Sequence, residues 1–288
     1  MSASTEAVPL IPPMRWLLYA AAFLVFLAGL VLFVFPLQTD EFFAWTVNPP
    51  MTAVFLGAAY WSSAGLEVTG ARSAGWNSAR LAVWPVFIFT TLTLGVTLLH
   101  IDRFHLSSNA APTAQTATWA WLAIYALVPV AMLVISRMQV RSLTPAPESV
   151  TAGRPVLPPA LRLLLAGIAG VLLFYGVALL AVPTLAAAWW PWTLSELTAR
   201  AIGAWLVGLG WAAAQGQFSR DLRTVRPVAL TSVAFVILQA LALLRYGSAL
   251  AWPSAPAIGF VTVLIAIGVA GGWALALSRS AVAQAEIS

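Results

Sequence analysis

Glu67 is the residue best placed by its surroundings to do chemistry. It falls near the end of a run of small and apolar residues long enough to cross a bilayer. On insertion scales an acid at the centre of such a run costs about 2.5–3.5 kcal/mol. Ser63 precedes it by four residues, which puts both on one helical face. With Thr90 and Thr91 of the next apolar run, they form a candidate pathway for a proton, a cation or a substrate. A plainer expectation uses Glu67 as an interfacial carboxylate paired with Arg72 or Arg80.

Both histidines lie in H-I-D-R-F-H, His100 to His105. Five steps of about 100° place them roughly 140° apart on a helix, so only a loop could turn both toward one metal or haem. The default is a solvated loop with an Asp102–Arg103 contact, and metal binding at His100 and His105 is the weak alternative. Arg80 and Arg226 each open the third apolar run of their half. They form a candidate site for an anion or lipid headgroup, although simple topology anchoring also accounts for them. Thr90, Thr91, Thr93 and Thr97 give the third run a polar stripe, with Gln239 as the counterpart in the second half.

Several chemistries have no residues to perform them. The chain has no cysteine, which excludes disulfides, thiolate metal sites and cysteine nucleophiles. No phosphate-binding glycine loop, zinc spacing, nucleophile elbow or intramembrane carboxylate pair occurs. No cofactor is expected, and an enzyme is the weaker functional class.

The elements that must position these residues are membrane helices. Of 288 residues, 61% are hydrophobic and 8% charged. Soluble domains carry roughly 25% charge, so this composition cannot cover a surface in water. Eight segments reach spanning length, at about 16–35, 51–69, 81–100, 118–136, 161–182, 199–217, 228–246 and 256–277. The second and sixth are the least apolar. With the N-terminus inside, eleven of the fourteen arginines fall on the inner side, the positive-inside pattern. Both termini are therefore expected in the cytoplasm and the protein in a bacterial plasma (inner) membrane. The first run lacks a small-x-small cleavage site and reads as a retained anchor. The net charge of +5 belongs to these arginines, and no nucleic-acid partner is expected.

The two halves repeat. M-T-A-V-F-L-G-A from Met51 recurs as L-T-A-R-A-I-G-A from Leu197. At an offset of 147, Pro12, Arg15, Gly29, Pro36 and Trp45 meet Pro159, Arg162, Gly176, Pro183 and Trp192. At 146, Thr52, Gly57, Gly70 and Arg80 meet Thr198, Gly203, Gly216 and Arg226. Four spans per unit is an even number, so the units are parallel and not inverted. The expected fold is all-α: a polytopic transmembrane bundle of about eight spans in two parallel four-helix repeats. Residues 1–136 make the first unit, 137–160 a Pro/Arg-rich cytoplasmic linker and 161–288 the second unit.

In each copy the recurring stretch starts a helix after an aromatic loop. Asn48 is the expected cap of the first copy; Thr193 and Ser195 compete in the second. Glu196 and Arg200 are spaced to pair, and the flanking Trp and Phe suit an interfacial belt. Its small residues allow close helix approach, and the two copies could also line a substrate vestibule. Two functional classes follow: a transporter or permease-like protein for a small solute or lipid, or a non-transporting protein that binds a membrane partner. A polar cavity near mid-membrane lined by Glu67 favours the first, and a dry interface between units favours the second. The expected partners are the lipid bilayer, with a small-molecule substrate or a membrane-protein partner.

Overall fold

The computed structural model describes residues 9–73, 75–142, 157–218 and 222–287. Among the described residues the regular structure is all helical, joined by short loops, apart from an isolated antiparallel bridge between Pro9 and Gly75. The helices are α1 (Pro12–Val34), α2 (Thr39–Phe42), α3 (Pro50–Ala71), α4 (Trp76–Leu99), α5 (Pro112–Arg141), α6 (Pro159–Ala181), α7 (Pro183–Ala187), α8 (Glu196–Phe218), α9 (Leu222–Tyr246) and α10 (Ala255–Ile287). Short 3-10 turns, Ile101–Arg103 and Gly247–Ala249, follow α4 and α9. Proline opens α1, α3, α5, α6 and α7, where its missing N–H costs nothing. Each expected span coincides with a long helix, with three of them running one residue past its end.

Seven helices are long and apolar enough to cross a membrane: α1, α4, α5, α6, α8, α9 and α10. The eighth expected span, α3, falls short of that hydropathy although its 22 residues reach about 33 Å. The physical reason is burial. Almost the whole run from Met51 to Ala59 is inaccessible, as is most of α8. These two helices touch protein on most of their surface, so they need small residues more than lipid-soluble ones.

Packing is ordered. α1 runs along α3, and α6 along α8. α4 pairs with α5, and α9 with α10. The third long helix of each half also crosses to the second of the other: α4 packs on α8, and α9 on α3. Glycine makes the tightest seams. A Cβ on Gly57 would lie 2.6 Å from the Phe33 amide nitrogen, and one on Gly203 would lie 2.8 Å from the Gly176 carbonyl. In α10 the close approach is made by Gly271, 3.0 Å from the Ala229 carbonyl, whereas Gly272 faces open space. Gly268 packs more loosely on α9, where an added Cβ would meet the Val236 side chain at 3.4 Å.

Polar ties lock the ends. Arg15 donates to the carbonyls of Ala71 and Ser73 at 3.4 and 3.3 Å, capping α3. Buried Gln139 accepts from the Ile11 amide at 2.9 Å and donates to the Pro9 carbonyl at 3.1 Å. This is the Arg15 end of the bundle; the other is the His100 end.

Two local expectations change. Helix α5 continues to Arg141, taking the first residues assigned to the linker; residues 143–156 of that linker lie outside the described residues. The cap of α3 is Pro49, not Asn48, because Pro50 occupies the first turn. Ser195 caps α8, accepting from the Thr198 amide at 3.2 Å.

Candidate functional site

Glu67 is buried, 1% exposed. Its Oε2 has no hydrogen-bond partner, and no arginine pairs with it among the described residues. Arg72 and Arg80 are exposed, so the interfacial ion pair does not form. The last turn of α3 turns Glu67 inward, away from the helix ends where those arginines stand. It lines a cavity of about 70 Å³ enclosed by α1, α3, α4 and α5. Tyr60, Thr90, Trp121 and Tyr125 share its wall. The Tyr60 and Tyr125 hydroxyls are hydrogen-bonded at 2.8 Å, fully buried.

The candidate pathway residues separate. Glu67 and Thr90 meet in the cavity. Ser63 is buried but donates to the Tyr60 carbonyl at 2.9 Å, and Thr91 is exposed, donating to the Phe87 carbonyl at 2.7 Å. Both are spent on their own helices. Thr90 also bonds its own helix, to the Val86 carbonyl at 2.8 Å, while keeping its place in the wall. The tyrosine pair was missed. Tyr60 lies seven residues before Glu67, two turns up the same face, and that spacing was the available signal.

The Glu67 cavity lies inside the first half, and apart from Glu67, Thr90 and the tyrosine hydroxyls its walls are apolar. Several contacts between the halves are aromatic: Trp205 packs on Tyr60 and Phe89 at 4.9 and 4.1 Å, and Phe55 on Trp192 at 5.9 Å. A few polar ties cross there. Trp192 donates to the Thr52 hydroxyl at 2.9 Å, and Gln239 to the Phe55 carbonyl at 3.0 Å. Thr93 and the Gln239 Oε1 are buried without partners.

At the His100 end a wider polar cavity of about 660 Å³ is lined by the loop before α3 (Thr46, Asn48), the turn after α4 (His100, Asp102) and the start of α8 (Ser195, Glu196). Arg200 organises it. Its Nη1 donates to Glu196 Oε2 at 3.1 Å and to His100 Nε2 at 2.8 Å, and its Nε donates to the Leu180 carbonyl at 3.1 Å. Arginine has only donors, so His100 Nε2 accepts and the imidazole is neutral there. Burial, and then the Arg200 guanidinium, hold it below its ordinary value of 6.5.

His105 is committed elsewhere. Its Nδ1 donates to the Phe43 carbonyl at 2.9 Å, and its Nε2 bonds Thr46 at 3.0 Å. Among the described residues no group of three His, Asp or Glu side chains could hold a metal. Asp102 and Arg103 form an exposed pair at 3.1 Å. Arg80 and Arg226 are exposed at the starts of α4 and α9 and line neither cavity. The aromatic loops also depart from a surface belt. Trp45, Trp190 and Trp192 are buried, whereas Phe42 and Trp189 are exposed.

An aromatic stack lies between the Glu67 cavity and the wide cavity at His100: Trp45 lies 4.9 Å from Trp121, which lies 4.3 Å from Tyr125. A third cavity of about 270 Å³ sits in the second half among α6, α8, α9 and α10, and its walls are apolar. Comparison with protein-family models, curated proteins and solved structures finds no match to this chain.

Proposed function

We propose that this multi-pass membrane protein is transporter-like, with a pathway for a proton or small cation through its first half. The observation that carries this is Glu67, a buried carboxyl on the wall of a cavity with no counter-charge among the described residues. Intramembrane acids in that position mark ion pathways and proton relays. The cavity volume suffices for about two waters, each needing roughly 30 Å³. Polar groups follow in order from the Arg15 end: Glu67, Thr90, the Tyr60–Tyr125 pair, the Trp121–Trp45 stack and the wide polar mouth at His100. The stack closes the route, as in an occluded state.

The proposed architecture is eight spans in two parallel four-helix units, with α3 as the eighth span and both termini in the cytoplasm of a bacterial cell. Matched contacts support it. Gly57 packs on Leu32 and Phe33, and Gly203 packs on Leu179 and Leu180, the positions 147 residues on. The cavities match as well. Trp121, Ile124, Tyr125 and Val128 each stand 139 residues before Phe260, Val263, Leu264 and Ile267.

The test is flux in proteoliposomes loaded with a pH-sensitive dye, with amino acids, sugars and organic cations offered outside in turn. A coupled substrate acidifies the lumen, and Glu67→Gln abolishes that acidification. Substrate flux that is identical in Glu67→Gln removes the relay. The aromatic packing of Trp205 on Tyr60 and Phe89 between the halves favours a second class, a non-transporting protein that binds a membrane partner. Vesicles tight to every solute class would select it.

A further inference from the structure

We propose that the apolar cavity of the second half is a lipid site that holds one hydrocarbon chain of a bilayer phospholipid. It stands on membrane embedding alone and does not depend on the proton pathway.

The cavity measures about 270 Å³, and Leu172, Leu206, Phe235, Phe260, Leu264 and Ile267 form its walls. The two tyrosines of the first-half cavity are replaced here by hydrocarbon. Leu206 stands where the repeat has Tyr60, and Leu264 where it has Tyr125. Tyr175 also lines the space, but its hydroxyl already donates to the Ala186 carbonyl at 2.9 Å. Water would find too few partners in such a space, whereas apolar matter fills it favourably.

The occupant follows from where the cavity opens. Val171 and Trp189, at its mouth, are 50% and 68% exposed, and the Ala255 and Gly259 edge of α10 is exposed beside them. The outward faces of α6 and α10 carry Phe174 and Ile258, also exposed. In a membrane that mouth meets lipid. The walls run from Ala255 to Ile267 along α10, about 18 Å of helix. One leaflet of the hydrocarbon core is about 15 Å deep, the reach of a single chain. A narrower chamber of about 60 Å³ shares Leu172, Leu209, Phe235 and Ile267 and continues toward the Arg15 end. Trp190, at the headgroup end, is buried with an unpartnered indole N–H, for which an ester carbonyl is a fitting acceptor.

The cavity can be filled without a clash. A Cβ on Gly259 meets nothing within 4 Å. The experiment reconstitutes the full chain in nanodiscs containing phosphatidylcholine with a photoactivatable diazirine on one acyl chain, and maps the adducts by mass spectrometry. Adducts are expected on Leu172, Phe260 and Leu264. Gly259→Leu should cut them roughly tenfold by occupying the apolar volume. Gly95→Leu, an equally open and exposed glycine on α4, should leave them unchanged, as should Glu67→Gln. Leu206→Phe narrows the cavity from α8 and carries the test if Gly259→Leu does not melt cooperatively. Adducts confined to outward residues such as Leu163 and Phe174 overturn the site, and so do interior adducts that neither filling substitution reduces.

Discussion

Two residue-scale networks give measurable consequences. The Tyr60 and Tyr125 hydroxyls have each other as partners in a fully buried setting. Removing one leaves the other unsatisfied, which costs about 1–3 kcal/mol, whereas removing both leaves no orphan. Tyr60→Phe and Tyr125→Phe are each expected to lower the thermal midpoint in detergent, and the double variant to lose less than the sum. Strictly additive losses in that cycle would show the hydroxyls to be uncoupled. His100 gives a pH dependence. Its proton affinity is lowered in the folded state by burial and by Arg200. The unfolded chain therefore takes up the proton first as pH falls, and the contribution of the neutral imidazole is full above about 6.5 and lost progressively below it. Thermal midpoints measured from pH 8 to pH 5 should fall on the acid side, and His100→Gln should remove that component. An unchanged acid limb in His100→Gln would rule it out. Glu67 was legible in the sequence as an acid within an apolar run. Its lack of a partner was not, because two exposed arginines stood close enough along the chain to supply one.

At the scale of elements, the recurring small-residue stretch acts as helix packing. Gly57 and Gly203 bring backbone within contact of backbone, so an added methyl group has to move a helix and not merely a side chain. Gly203→Ala is expected to destabilise by roughly 1–3 kcal/mol, the usual range for overpacking. Gly65→Ala, with nothing within 4 Å of its Cβ, should be neutral or slightly stabilising through helix propensity. Equal thermal midpoints for the two variants would contradict this account of the seam. The long helices were readable from apolar runs bounded by proline and arginine. The weakness of the second and sixth runs was readable too, but its cause was not. α3 and α8 are poor in lipid-soluble residues because they are wrapped by other helices, and a one-dimensional hydropathy profile does not distinguish a buried helix from a marginal span. The caps show the same limit. Ser195, Thr193 and Asn48 all suit a helix start, and only the path of the backbone decides among them.

At the scale of the whole molecule, the proposed parallel topology places Asn109 outside and Ala146 in the cytoplasm. Asn109 is exposed, and Ala146 belongs to the connecting segment outside the described residues. Because the chain contains no cysteine, one introduced at each position reports alone. An impermeant maleimide should label Asn109→Cys in intact cells and Ala146→Cys only after permeabilisation, and the reverse at both sites would invert the orientation. The sequence by itself determined that this is a helical membrane protein, where its long helices fall and that Glu67 is an acid within one of them. Composition and periodicity reflect the solvent each stretch meets, and those are local properties. Only the tertiary structure decided that Glu67 and Thr90 share a cavity with two tyrosines while Ser63 and Thr91 do not. It alone joined His100 to Arg200, a hundred residues away, and opened an apolar cavity among α6, α8, α9 and α10. Those outcomes depend on how α4 and α9 cross between the halves, and such crossings are set by the fit of side chains distant in sequence.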